Sequence, residues 1–299
     1  MIKLPKKTIN IVLILATLTA AVYYFSKHKN LLSTLRHVSP ILIAEIFLLN
    51  IVMFAALILI FKATLNLTKL KIGLFENGLL NAYSMFINFF IPGQAGPAFR
   101  GYYLYKKYKL KILDYTLATV IYYVFYGLIS VVLVFAGSKP WWMTVSVAAI
   151  IIGIIALGSR IYLKRYKEEK LNLRMKPLLY LFLATLLQSV VQIVIYFSEL
   201  HYLNHNINFN QVVTYTGAAN LALFVGLTPG AIGVRETFLI LTEKLNHITS
   251  STIVLANVID RSVFVIFLLC LGVLILAFKA KDRLSVDNIK QAGAESGIK

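Results

Sequence analysis

The stretch TPGAIGVRE, residues 228–236, interrupts an otherwise apolar sequence with a proline, two glycines, an arginine and a glutamate. A second stretch, IPGQAGPAFR at residues 91–100, repeats the P-G-x-x-G spacing. In hydrocarbon each unpaired backbone group is costly, so chain that leaves the helix at that depth survives only when buried in protein or lining a wet cavity. Proline removes a donor and stops a helix, while glycine permits reversal and close backbone approach. Pro92, Gly93 and Gly96 are therefore expected to turn one helical hairpin, and Pro229, Gly230 and Gly233 a second.

The surroundings of both stretches read as membrane. Hydrophobic residues make up 59% of the 299-residue chain and the formal net charge is +18, with a mean hydropathy of +0.77, a combination foreign to water-soluble domains. Lysines and arginines gather in short segments between apolar runs, the pattern that fixes topology, so nucleic acid is not an expected partner. Cys270 is the single cysteine and lies within an apolar run, where it reads as a small buried hydrophobe. His201 and His205 stand four apart without a carboxylate or cysteine nearby, so no metal site is expected. The sequence holds no P-loop, no GxSxG and no paired-carboxylate site, and neither a catalytic residue nor a cofactor is predicted.

A bilayer core about 30 Å thick needs roughly 20 apolar residues in a helix. Residues 9–25, 40–61, 112–136, 141–157, 177–200 and 252–278 qualify as full spans, the first as a retained helix ending in the interfacial anchors Tyr23, Tyr24 and Phe25. Residues 72–91 and 211–227 are also apolar, and each runs into a P-G-x-x-G loop. If both are re-entrant and the termini are cytoplasmic, the inner side collects Lys3, Lys6 and Lys7, then Lys62, Lys69 and Lys71, then Arg100 to Lys111, then the basic run from Arg160 to Lys176, and finally the tail from Lys279. If both crossed completely, the clusters at 100–111 and 160–176 would fall outside and reverse the bias. The expected fold is all-α: about six full transmembrane helices plus two re-entrant hairpins. It forms one membrane domain, 1–278, followed by a cytoplasmic polar tail, 279–299. The first repeat covers 40–137 and the second, inverted, 177–278, and LATVIYYVF from Leu117 parallels LANVIDRSVF from Leu255. Inverted repeats with broken helices meeting near the midplane are transporter architecture.

The loops also carry chemistry. A second hairpin arm starting at mid-depth presents free N–H groups and a positive dipole end to the protein interior, and Arg100 and Arg235 stand just beyond the loops, a setting that suits an anionic group. Arg261 sits deep in the last span, with Asn257 one turn away on its face and Asp260 about 100° around the helix. Glu236 pairing with Arg261, and Asp260 pairing with Arg235, are equally compatible with the sequence. Arg100, Arg235, Glu236, Asn257, Asp260 and Arg261 form the predicted substrate-binding set. Gln188 and Gln192 lie one turn apart and read first as interhelical hydrogen-bonding groups, while Glu45 is either a coupling carboxylate or a group near the outer interface.

At these residues the chain resembles the flippase-like family related to the transmembrane region of lysylphosphatidylglycerol synthase. Its early P-x-x-x-G loop with a following arginine matches IPGQAGPAFR, and its later P-G-G-x-G-x-R-E, followed by an arginine in the next helix, matches TPGAIGVRETFLI with Arg261. Gln94, Pro97, Tyr122 and Tyr123 depart from that pattern, the two tyrosines standing where a charged pair is often found. The resemblance implies a lipid flippase without a synthase domain in the cytoplasmic membrane. It would move an anionic phospholipid or a polyprenyl-phosphate-linked precursor, with a lipid- or glycan-modifying enzyme as a possible partner. A membrane-embedded transferase acting on a lipid-phosphate donor, and a membrane subunit of a lipid-modifying complex, stand as alternatives. Single cysteines along residues 100–111 in a Cys270→Ser background are expected to react with a membrane-impermeant maleimide only from the cytoplasmic face, and labelling from outside would overturn this topology.

Overall fold

The computed structural model describes residues 38–90, 95–136, 171–224 and 248–277. All regular structure among them is helical: α1 (Pro40–Leu67), α2 (Leu74–Phe90), α3 (Ala95–Tyr108), α4 (Ile112–Ala136), α5 (Met175–Leu203), α6 (Phe209–Phe224) and α7 (Ser250–Ala277). Four of these, α1, α4, α5 and α7, are long and apolar enough to cross a membrane. The expected spans at 9–25 and 141–157 lie outside the described residues. At 1.5 Å per residue α2, α3 and α6 reach only about 26, 21 and 24 Å, short of a hydrocarbon core about 30 Å thick.

The pair α1 and α5 forms the backbone of the bundle. Pro40 opens α1 behind the N-cap Ser39, whose hydroxyl accepts the Ile41 N–H. The Ser39 N–H itself donates to Tyr202 Oη at 3.0 Å, and at the other end the Asn172 N–H donates to the Leu67 carbonyl at 2.6 Å. Contacts whose residue numbers fall on one helix as they rise on the other define an antiparallel pair. α4 runs the other way relative to α1 and parallel to α5, because Tyr122 meets Gln188 and Tyr126 meets Gln192. The end of α4 and the start of α5 are thus at opposite ends of the bundle.

α2 and α3 form an antiparallel hairpin whose open end sits where α1 stops and α4 starts. Phe61 and Leu65 of α1, Leu80 of α2, Tyr103 and Leu104 of α3 and Tyr115 of α4 make one buried cluster there. From that end α2 climbs until Phe86 and Phe89 reach Gly272, Val265 and Leu268 of α7. Both α1 and α3 stop at a lysine in left-handed conformation, Lys69 (φ 60°) and Lys109 (φ 57°). Each lysine is followed by a leucine that folds back onto the same cluster. After α3 the Leu110 N–H reaches the Leu104 carbonyl and the Lys109 N–H the Tyr105 carbonyl, a Schellman closure with lysine where glycine is usual. The repeated Lys-Leu-Lys-Ile of residues 69–72 and 109–112 is thus a pair of helix stops as well as a topology signal.

α6 is the central helix: every residue from 212 to 220 is buried. It lies against α4 and α5, with Gly217 so close to α4 that a Cβ there would come within 2.5 Å of the Ser130 carbonyl and the Val134 nitrogen. Polar side chains inside these apolar helices mostly close on their own backbone, as Asn50 does on the Ile46 carbonyl, Thr64 on Ile60, Ser130 on Tyr126 and Ser262 on Val258. Back-bonding of this kind lets a hydroxyl or amide be buried in hydrocarbon without a partner helix.

Several expectations need correction. α1 continues past residue 61 to Leu67, and Lys62 is an exposed residue of the helix, not of a loop. Residues 100–108 are likewise helical, and His201 belongs to the last turn of α5. Cys270 is exposed on α7 and not buried, because the buried side of that stretch is taken by Phe267, Leu268 and Leu271. Gly217→Ala is expected to destabilise the protein by about 1–3 kcal/mol, since backbone on α4 cannot yield as a side chain would. Gly73→Ala, with nothing within 4 Å, is expected to stay within about 0.5 kcal/mol of wild type in the same thermal-unfolding measurement.

Candidate functional site

Of the predicted binding set, Arg100, Asn257, Asp260 and Arg261 are described, together with the loop residue Gly96. Arg235, Glu236, Pro92, Gly93, Pro229, Gly230 and Gly233 lie outside the described residues.

The first hairpin is joined by a polar stripe that the sequence reading passed over. Asn77, Asn81, Ser84 and Asn88 recur at intervals of four, three and four along α2, so they share one face, and that face meets α3. Asn77 Nδ2 donates to the Ile58 carbonyl of α1 at 3.1 Å, while Asn81 Nδ2 donates to Asn77 Oδ1 at 2.7 Å. Arg100 Nη1 then donates to Asn81 Oδ1 at 3.0 Å. Nearer the tip the Gly96 N–H donates to Asn88 Oδ1 at 2.7 Å. A Cβ on Gly96 would overlap Ser84, so only glycine lets the two arms approach this closely. The glycine that was expected to serve the turn also serves the packing.

Arg100 stands in the second turn of α3, one turn further from the loop than expected. Its guanidinium lies 4.7 Å from the centre of the Phe61 ring, a cation–π contact desolvated on the protein side. Nε is buried and makes no hydrogen bond among the described residues, and the same is true of Ser84 Oγ. The charge also reaches Tyr122 and Tyr123 of α4. Those tyrosines, where a charged pair was anticipated by family pattern, instead build an aromatic wall: Tyr122 lies 4.9 Å from Tyr123 and stacks at 6.0 Å on Tyr126.

At the base of the hairpin Glu76 accepts from Tyr103 Oη at 2.8 Å, Tyr108 Oη at 2.8 Å and Lys107 Nζ at 3.0 Å. Burial first, and then the bond to Glu76, push both phenols above the ordinary tyrosine range, so they remain donors. This carboxylate clamps the arms and neutralises Lys107, which is therefore not available to a ligand in this arrangement.

In the second half Asn257 and Arg261 share one buried face of α7, and Asp260 is half-buried beside them. Asn257 Nδ2 donates to Tyr215 Oη of α6 at 3.1 Å and to the Ile253 carbonyl at 2.8 Å. Gln188 and Gln192 bond to Tyr122 and Tyr126, the interhelical role read first for them. Glu45 is exposed on α1 and accepts from the Ser198 hydroxyl at 2.5 Å, about 8 Å from the start of its helix. No three His, Cys, Asp or Glu side chains gather to hold a metal ion among the described residues. The arrangement offers cationic and amide donors inside an apolar bundle, the chemistry that receives a phosphate.

The profile of the family described as the lysylphosphatidylglycerol synthase TM region matches residues 9–272. The chain belongs to that family of membrane proteins, with a role related to lipid. No curated protein matches it.

The stripe makes an asymmetric prediction for stability. Asn81→Ala takes the acceptor away from a guanidinium already inside the protein and is expected to cost about 2–4 kcal/mol, whereas Arg100→Met leaves only a neutral amide oxygen bare and is expected to cost about 1–2 kcal/mol. Thermal unfolding of the purified variants in one detergent gives the ranking.

Proposed function

We propose that the chain is a lipid flippase of the cytoplasmic membrane, moving an anionic phospholipid or a polyprenyl-phosphate-linked precursor between leaflets. The head group binds in the polar interior, held by Arg100, Arg235 and Arg261, while the tails remain in lipid. The observation that carries the reading is the pair of arginines, half-buried Arg100 and buried Arg261, contributed by opposite halves of an apolar bundle. Intramembrane charge is costly, and a phosphate is the ligand that would offset it.

The packing supports an inverted repeat. Exchanging α1 with α5, α2 with α6 and α4 with α7 converts each principal helix packing that leaves out α3 into another one: α4 on α6 becomes α7 on α2, and α4 on α5 becomes α7 on α1. Because α1 and α5 are antiparallel, the exchange turns one half upside down relative to the other. The α2–α3 hairpin, opening and closing at one end of the bundle, fits a re-entrant element, and the opposite ends reached by α4 and α5 fit a further span between them. Rocking of one half against the other would then expose the site to each leaflet in turn.

A transferase reading draws on Asp260 beside Arg261, a carboxylate that could act as base toward a lipid phosphate held by the arginine. Product formation by purified protein from a lipid-phosphate donor would favour it. For the flippase, fluorescent anionic lipid in proteoliposomes is expected to translocate about tenfold or more slowly with Arg100→Ala, Arg235→Ala or Arg261→Ala, the loss of one charge-assisted contact. Equal rates in wild type and all three variants would remove the proposed site.

A further inference from the structure

A layer of polar side chains crosses the bundle at one depth. The ends formed by Ser39, Leu203, Phe209 and Ser250 lie together, tied by the Ser39–Tyr202 bond and by a shared cluster containing Val38, Leu200, Ile207, Val212 and Ile253. Measured from that end, Asn50 of α1, Gln192 of α5, Asn220 of α6 and Arg261 of α7 all lie about 15–17 Å along their helices, near the middle of the hydrocarbon. Tyr126 of α4 joins the layer through its bonds to Gln192.

Most of this layer is satisfied within the protein. Gln192 and Tyr126 bond to each other, and Asn50 bonds to the Ile46 carbonyl. Asn220 is the exception. It is 0% exposed on the central helix, and neither Oδ1 nor Nδ2 makes a hydrogen bond among the described residues. Unlike Asn50, it does not close on its own backbone. Asn257 Oδ1, on the neighbouring α7, is also buried and without a hydrogen bond among the described residues. A bare carboxamide in this setting costs stability that leucine would not.

We infer that Asn220 is a head-group contact, and that it favours an anionic phospholipid carrying a hydroxyl beside its phosphate. The inference rests on the lipid-moving reading and adds a specificity-determining residue to it. Carboxamide chemistry sets the ligand class. Nδ2 donates to a phosphate oxygen, but Oδ1 needs a donor, and an ionised phosphodiester has none. A neighbouring hydroxyl supplies it. The bound head group thereby satisfies both ends of an amide that the apoprotein leaves bare, and the cost of burying that amide becomes selectivity for the ligand that repairs it.

The test compares two lipids of equal charge, phosphatidylglycerol, which bears hydroxyls, and phosphatidylmethanol, which bears none. Each is titrated into the purified full-length protein in detergent, with thermal shift as readout. Wild type is expected to bind phosphatidylglycerol about fivefold or more tightly than phosphatidylmethanol, the worth of one hydrogen bond. Asn220→Leu is expected to melt at a higher temperature without lipid and to bind the two lipids alike. Asn220→Ala serves if leucine does not fit, and it should show the same loss of discrimination. Retained preference in a folded variant overturns the inference, as does equal binding of both lipids by wild type. A gain in melting temperature with unchanged lipid preference would assign the amide to a buried water and also overturn it. Failure of both variants to fold would make the amide structural, with the same consequence. If wild type binds neither lipid, the lipid-moving reading itself fails.

Discussion

Hydrocarbon offers no hydrogen bonds, so every polar group in this bundle has to find its partner in the protein. The architecture follows from how that requirement is met. Short polar side chains close on the carbonyl four residues back, which lets α1, α4, α5 and α7 carry Asn, Ser and Thr without exposing them to lipid. Longer amides bridge helices, as Gln188 and Gln192 do to the tyrosines of α4. The α2–α3 hairpin uses both solutions, and its polar stripe runs from an α1 carbonyl through two asparagines to a guanidinium.

That stripe connects packing to function. Arg100 is positioned by Asn81 and by the Phe61 ring, and both positions depend on α2 and α3 lying close together. Closeness in turn requires Gly96 against Ser84 and Gly101 against the Tyr115 ring. A larger residue at either glycine would move the arginine as well as the hairpin. At the base Glu76 holds two phenols and a lysine, so the hairpin is fixed at its open end by charge and along its length by amides. In hydrocarbon, directional bonds of this kind hold the arms where apolar burial alone gives little driving force.

The second half is built differently although its helices pack in corresponding places. α6 is buried on all sides and rich in small residues, from Gly217 through Ala218 and Ala219 to Ala222, where α2 carries the asparagine stripe. Tyr122 and Tyr123 face the Arg100 region, while the corresponding places on α7 hold Asp260 and Arg261. Similar packing with unequal chemistry gives a two-sided chamber whose walls differ, which suits a ligand whose head group and phosphate make different demands.

Read alone, the sequence determined the class, the family and the helices that cross. Hydropathy over some 20 residues is a local property, so the spans at 40–61, 112–136, 177–200 and 252–278 were found to within about two turns, and the paired P-G-x-x-G loops marked the family. It was also sufficient to select Arg100, Asn257 and Arg261, because charge and amide within an apolar run are conspicuous one residue at a time. What the chain order could not supply was partnership. Spacing put Asn77, Asn81, Ser84 and Asn88 on one helix face, but only the fold decided that this face meets α3 and receives Arg100. The exposure of Cys270 and the burial of Asn220 were decided the same way. Within a membrane helix both faces are apolar, so no amphipathic pattern tells which side meets lipid and which meets protein, and that choice belongs to the packing.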